Sequence, residues 1–197
     1  MNDQIQAVLD KIEPKGKALP YLELDSMMLS QVVEIACRVS QNDINSTHIQ
    51  NWVRRKYLPH PEKKKYNREQ IANILLINDL RNILPLDQIS HLLGYINNDL
   101  LDTADDRISP SKLYRYYSEI FDNTRISWER TLQGVEQKVE DTLKDNNLQG
   151  EDGEKAKTAL VILNLLAQAN LYQQIAKQWL ENIQAPEVPA DSVGKED

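Results

Sequence analysis

Apolar residues recur three and four positions apart in two stretches of the segment from residue 26 to 56, which predicts two amphipathic helices. The first helix is expected at about 26–40, with Cys37 on its apolar stripe as a small core residue. The second is expected at about 46–56, and its inward-facing side chains are those of Ile49, Trp52 and Val53.

A proline-bounded basic segment interrupts this helical pattern. Residues 57–66 contain two prolines and three consecutive lysines, which predicts a tight ribbon or an extended loop. An Asn-x-x-Gln capping pattern begins a third helix at Asn67. Pro85 divides that helix from a fourth at 86–93, which is expected to end at Gly94.

The outward side of the second predicted helix carries side chains that bind bases or phosphates. With Trp52 turned inward, the opposite face is centred on Thr47, Asn51 and Arg54 and flanked by Gln50 and Arg55. Amide and guanidinium groups can form paired hydrogen bonds with base edges in the major groove of DNA. This helix is therefore the predicted reading element.

Charge is unevenly distributed along the chain. From residue 48 to 68 there are seven basic residues and one acid, a balance of 7 - 1 = +6, while the remainder carries 16 - 29 = -13. A basic segment on an acidic chain attracts a polyanion locally, although a solvated basic loop is the alternative interpretation. The predicted phosphate contacts are Lys63, Lys64, Lys65 and Arg68.

The C-terminal half predicts two long helices after a polar and acidic linker at 95–109. Ser109 followed by Pro110 is a typical helix start, and a near-heptad apolar stripe runs through 110–145. Two uses of the stripe stay open. It contacts a second copy in a homodimer, or it packs on the last helix or on the N-terminal residues.

The last helix is expected to run to about residue 183 and to be largely buried, because residues 159–169 are apolar on more than one side. A short amphipathic helix is expected at 2–12, and the tail at 185–197 is expected to be disordered. Tyr114, Tyr116 and Tyr117 either line an effector pocket or form a packed surface, and no effector is identified.

Composition excludes several classes of protein. A single cysteine leaves no disulfide framework and no thiolate cluster for zinc. The start, MNDQIQAVLD, has no secretory signal pattern, and no apolar stretch is long enough to span a membrane, so a cytoplasmic location is expected. The three histidines are scattered and no glycine-rich phosphate loop is present, so neither an enzyme nor a cofactor is predicted.

Residues 49–58, IQNWVRRKYL, are followed by Pro59, the lysines, Tyr66, the capped helix and the phrase LPLDQISHLL. This succession resembles the DNA-binding region of MerR-type regulators, and an uncharacterised bacterial family shares the phrase. The resemblance implies a winged helix whose groove-facing positions are Thr47, Gln50, Asn51 and Arg54, and a long dimerisation helix after it. The chain departs from the pattern in its Gln50-Asn51-Trp52 triplet, in having Lys56 at a glycine position, in a missing Gly-Tyr-Arg wing tip, and in a longer turn before the second helix.

The sequence thus predicts a mainly helical, all-α protein with a winged helix-turn-helix unit. The leading function is a transcriptional regulator that binds double-stranded DNA sequence-specifically as a homodimer. One alternative is a protein-interaction adaptor that has lost DNA binding, favoured by the overall acidity, and another is an excisionase-like DNA-bending factor. The predicted divisions are an arm at 1–25, the winged helix at 26–94, the linker at 95–109, a helical dimerisation or packing region at 110–184, and the tail at 185–197.

Overall fold

The computed structural model describes residues 11–40, 42–97, 100–102 and 106–183. Within these ranges the chain is mostly helical, which confirms the expected class. The predicted helix at 2–12 falls mainly outside them, and the predicted tail falls outside them entirely. The elements are a 3₁₀ segment (Lys15–Glu23), strands β1 (Ser26–Met28) and β2 (Lys65–Asn67), and helices α1 (Leu29–Val39), α2 (Ser46–Arg54), α3 (Arg68–Leu80), α4 (Leu86–Asn97), α5 (Pro110–Asp145) and α6 (Gly150–Asn182).

A two-stranded antiparallel sheet ties the start of α1 to the start of α3. Met27 pairs with Tyr66, and both side chains are buried while their neighbours along each strand are exposed. The expected helix start at residue 26 is therefore wrong, because residues 26–28 form β1 and α1 begins at Leu29. Pairing with a strand forty residues away leaves no trace in local helical spacing.

The core is built around α3, which is buried at every position from 70 to 78. Helix α2 contributes the three side chains predicted for it, and all are buried. Helix α1 contributes Val32, Ile35, Ala36 and Val39. Cys37, expected in the core, is exposed, because the buried stripe of α1 includes Ile35 and so turns Cys37 outward. Its thiol instead donates to the Ile44 carbonyl at 3.3 Å.

Residues on both sides of the predicted 26–94 unit share this core. Ala18 and Leu22 of the 3₁₀ segment are buried in it, as is Tyr114 of α5. The Tyr114 hydroxyl donates to the Lys15 carbonyl at 3.2 Å. The Lys15 ammonium, itself buried, donates to Asp79 of α3 at 2.5 Å. The first turns of α5 are thus fixed against the N-terminal residues.

The connection between α4 and α5 differs from the expected linker. Helix α4 continues through a buried Gly94 to Asn97, so the predicted end at Gly94 is wrong. The buried Asn97 side chain closes the connection by donating to the Ile108 carbonyl at 2.7 Å and accepting from the Ile108 amide at 3.2 Å. A tertiary contact caps α5, because Glu69 of α3 accepts from the Ser111 amide at 2.8 Å.

Helices α5 and α6 form an antiparallel hairpin. Val135 and Val139 of α5 pack against Val161 of α6, so the chain supplies its own partner for this part of the near-heptad stripe. The expected burial of residues 159–169 is wrong within one chain, since most of them are exposed. None of the helices in the described ranges is long and apolar enough to cross a membrane.

Candidate nucleic-acid interface

Local hydrogen bonds and three core side chains hold α2 in place. The Asn45 side chain accepts from the His48 amide at 3.1 Å, and the His48 ring accepts from the Asn45 amide at 3.3 Å, which forms a reciprocal cap. Ile49, Trp52 and Val53 anchor the back of the helix in the core. The helix therefore presents a fixed outward face.

The structure exposes the residues predicted for DNA contact. Asn51 is half-buried, and the other eight are exposed: Thr47, Gln50, Arg54, Arg55, Lys63, Lys64, Lys65 and Arg68. Thr47, Gln50 and Arg54 lie on the outward side of α2, where they are accessible to a large partner. Asn51 lies at the edge of that accessible face.

Residues 57–66 form a basic ribbon that is anchored at both ends. Leu58 and Tyr66 are buried in the core, and burial raises the pKa of the Tyr66 hydroxyl. The buried Gln70 side chain donates to the carbonyls of Pro59 and His60, both at 3.1 Å. Because one donor group satisfies two ribbon carbonyls, Gln70 fixes the base of the ribbon against α3.

The tip of the ribbon is a tight turn with two lysines in an unusual conformation. The Lys65 amide donates to the Glu62 carbonyl at 2.8 Å, and the two residues between them, Lys63 and Lys64, have φ angles of 47° and 65°. Two successive residues of positive φ match a type I′ turn, which normally contains Asn-Gly. Lysine has a steric cost in that conformation.

The face of α2, the tip of the ribbon and the beginning of α1 line one groove of about 670 Å³. Gln50 and Arg54 come from α2, Lys64 from the ribbon, and Ser30 from the first turn of α1. That first turn contains no acidic residue. Its free amide groups and helix dipole therefore add to the positive potential of the lysine and arginine side chains.

Acids near the predicted contacts offset part of this positive potential, and Glu62 lies exposed in the ribbon turn itself, next to Lys63. Glu34 of α1 pairs with Arg38 of the same helix at 2.9 Å. Asp25 lies 3.7 Å from Arg68, and both side chains are exposed, so the pair is weak. The Arg55 guanidinium carbon lies 5.1 Å from the centre of the Tyr57 ring, which orients this cation at the end of α2.

Sequence reasoning missed several groove residues. Met28, Leu29 and Ser30 line the groove only because β1 pairs with β2, and His60 lines it from the ribbon. His48 is not a catalytic group in this arrangement, because its ring accepts from the amide of Asn45, the N-cap of α2. The capping pattern Asn45-x-x-His48 is visible in the sequence and was the available signal for the role of His48.

The tyrosines considered for an effector pocket have different environments. Tyr114 is fully buried, Tyr116 is 51% exposed, and Tyr117 lines a separate cavity of about 290 Å³ beside Lys15 and Asp79. Burial, followed by the negative charge of Asp79, raises the pKa of both Tyr114 and Tyr117. No group of side chains suited to hold a metal ion occurs within the described ranges.

Two comparisons with known proteins match most or more than half of the chain. The chain is 28% identical over 189 residues to the uncharacterized protein YkrK of Bacillus subtilis (strain 168), an alignment that covers 88% of this chain and 79% of YkrK. No solved structure matches the chain. A family profile described as a domain of unknown function, DUF1836, matches residues 14–117, more than half of the chain, from the 3₁₀ segment to Tyr117. The chain therefore belongs to the DUF1836 family.

Proposed function

We propose that this protein is a sequence-specific transcriptional regulator that binds duplex DNA as a homodimer through a MerR-like winged helix. The observation that carries the proposal is the single groove lined by Gln50 and Arg54 of α2, Lys64 of the ribbon and the acid-free first turn of α1. In this assignment α1 and α2 form the helix-turn-helix and the ribbon is the wing. The pairing of β1 with β2 supports it, because the pairing joins the wing to the start of α1.

Two kinds of side chain line the groove, one that contacts base edges and one that contacts phosphates. Gln50 and Arg54 are exposed on α2 and form paired hydrogen bonds with adenine and guanine edges respectively. Asn51, half-buried beside them, supports readout at the edge of the site. The ribbon lysines are flexible point charges and neutralise phosphates, as does the first turn of α1.

The experiment that tests the proposal selects fragments of genomic DNA with the purified full chain and sequences them. A palindromic consensus is expected, since a two-fold dimer reads two inverted half-sites. The alanine variants of Gln50 and Arg54 are each expected to lose about 1 to 3 kcal/mol of discrimination at one or two base positions, and the alanine variant of Asn51 is expected to lose less. The Lys63, Lys64 and Lys65 alanine variant is expected to weaken binding to specific and random duplexes alike.

An adaptor that binds protein is the second candidate, and the floor of the groove favours it. Met28, Leu29, Val53 and Pro61 make that floor apolar, which suits an inserted side chain of a peptide. The net charge of -7 also opposes DNA binding at long range. If no fragment is enriched at moderate salt, the DNA proposal fails and the adaptor takes its place.

A further inference from the structure

A second cavity, separate from the candidate groove, lies where four elements of the core meet. It has a volume of about 290 Å³ and is lined by Lys15 of the 3₁₀ segment, the end of α1, Asp79 near the end of α3, and Tyr117 of α5. None of the predicted DNA contacts belongs to its lining. The proposed function therefore leaves this cavity unexplained.

A buried polar atom of this cavity lacks a hydrogen-bond partner within the described ranges. The Asp79 side chain is only 6% exposed, and its Oδ1 accepts from the Lys15 ammonium at 2.5 Å. Its other carboxylate oxygen, Oδ2, accepts no hydrogen bond from the described part of the chain. Tyr117 lies close to the same carboxylate, but its hydroxyl does not complete a hydrogen bond to Oδ2. A buried carboxylate oxygen without a donor is costly, so the cavity favours a ligand that brings one.

Other polar groups in the lining already have partners. The Lys15 ammonium also donates to the Val39 carbonyl at 3.1 Å and lies 5.2 Å from the centre of the Phe121 ring. The Asn42 side-chain amide donates to the Asn78 carbonyl at 2.6 Å. The lining therefore offers a ligand mainly a hydrogen-bond acceptor.

Helix α5 gives the cavity an aromatic wall. Tyr117, Phe121 and Trp128 are spaced by about one and two helical turns, so they share one side of the helix. The ring centres lie 6.2 Å apart for Tyr117 and Phe121, and 5.9 Å apart for Phe121 and Trp128. All three side chains are half-buried, so each keeps part of its surface open. A planar aromatic molecule packs favourably on such a wall, because aromatic pairs gain more than buried area alone provides.

The volume and the charges narrow the class of ligand further. A cavity of this size lies at the small end of small-molecule sites, which suits one compact ring system. Asp79 is already paired with Lys15, so a neutral donor fits better than a second ammonium ion, which Lys15 would repel. We propose that this cavity binds a small uncharged aromatic molecule whose ring N–H or O–H donates to Asp79. The inference does not rest on DNA binding, since the cavity and the candidate groove share no lining residue.

Isothermal titration of the full chain with indole tests this inference. Indole is planar and uncharged, and its ring N–H is a donor. We expect one molecule to bind per chain with a Kd on the order of 100 µM. Indene has the same ring framework with a methylene group in place of the N–H, and it is expected to bind at least about 10-fold more weakly. This comparison tests the hydrogen bond without a substitution at Asp79, which would destabilise the fold.

Two substitutions locate the bound molecule. Trp128 lines both this cavity and a groove of about 590 Å³ between α5 and α6, whereas Phe121 lines only the cavity and Tyr172 only the groove. Phe121→Leu keeps an apolar side chain but removes a ring of the wall, and it is expected to weaken indole binding about 5-fold. Tyr172→Ala is the matched control and is expected to leave the affinity unchanged. Circular dichroism checks that both variants keep the helical content of the wild type.

Three results would overturn the inference. The first is that indole does not bind at millimolar concentration. The second is that indole and indene bind with equal affinity, which would exclude the hydrogen bond to Asp79. The third is that Tyr172→Ala weakens binding while Phe121→Leu does not, which would place the ligand in the groove between α5 and α6.

Discussion

The turn at the tip of the ribbon allows the backbone cost of two lysines to be separated from the effect of their charge. Lys63 and Lys64 both have positive φ, which costs on the order of 1 to 2 kcal/mol for a residue with a side chain. Lys63→Asn with Lys64→Gly gives the turn the Asn-Gly pair that this conformation favours. The exchange relieves the strain and removes two positive charges from the proposed DNA surface.

The expected gain in stability is modest, because glycine also increases the entropy of the unfolded chain. Asparagine keeps part of the steric cost at position 63, so the gain comes mainly from Lys64→Gly. Subtracting roughly 0.5 to 1 kcal/mol for the entropy term leaves a net gain of about 1 kcal/mol in the free energy of unfolding. For a chain of this length the unfolding midpoint should rise by about 2 to 4 °C. Thermal denaturation followed by circular dichroism measures this change.

The same variant is expected to bind DNA more weakly. If each lysine neutralises one phosphate, the slope of log affinity against log salt becomes shallower by about 0.9 for each phosphate that is no longer neutralised. Fluorescence anisotropy with a labelled duplex across a salt series measures the slope. Higher stability together with a weaker salt dependence is the expected signature of lysines kept in a strained turn for their charge.

Lys56→Gly is the matched control for the backbone effect. Lys56 has a φ of 62° at the end of α2 and is not among the predicted DNA contacts. We expect a comparable gain in stability and an unchanged salt slope. Lys63→Gln with Lys64→Gln is the complementary control, since it removes the charges and keeps the strain. A ribbon variant that gains stability with an unaltered salt slope refutes the assignment of these lysines to phosphates.

Three further predictions concern the core that supports this face. Asp79→Asn leaves the buried Lys15 ammonium without its ion-pair partner, and the free energy of unfolding in urea is expected to fall by roughly 3 to 5 kcal/mol. Lys15→Met with Asp79→Leu is expected to recover most of this loss. A loss below about 0.5 kcal/mol contradicts this effect of the ion pair. Burial raises the pKa of Tyr114 above its ordinary 10.0, so the folded chain holds the phenolic proton more tightly than the unfolded chain does. The unfolding free energy is therefore expected to fall as pH rises above about 10, with a shallower slope in Tyr114→Phe; equal slopes count against the role of Tyr114. Gln70→Met leaves the Pro59 and His60 carbonyls unpaired. It is expected to lower the free energy of unfolding by about 1 to 3 kcal/mol and to weaken DNA binding. Unchanged affinity in the anisotropy titration means that other contacts hold the ribbon.

Local periodicity was sufficient to predict where helices occur and how α2 is oriented, but not where α1 begins or α4 ends. The spacing of Ile49, Trp52 and Val53 determines which side of α2 is buried, because side chains three and four residues apart share one face. The capping pair Asn67 and Gln70 was also predictable, since both of its hydrogen bonds, each 2.9 Å, join residues three positions apart. Each of these features depends only on residues within one or two helical turns.

Contacts between distant residues were decided by the tertiary structure alone. The pairing of Met27 with Tyr66, the cap that Glu69 provides at Ser111, and the ion pair of Lys15 with Asp79 join residues that are roughly forty or more positions apart along the chain. Residue spacing within one segment contains no information about which other segment it meets. The first turn of α1 therefore reaches the candidate groove only because β1 pairs with β2 in a sheet.

Helix α6 is a second case in which the local apolar pattern does not determine what is buried. Residues 159–169 are apolar on several sides, which predicted burial, but most of them are exposed in the structure. Apolar spacing within one segment does not determine which other segment covers it. Within the described ranges, α6 packs against α5 through Val161 and Leu165, and its later turns also contact residue 83 and His91, while Leu163 and Leu166 stay exposed.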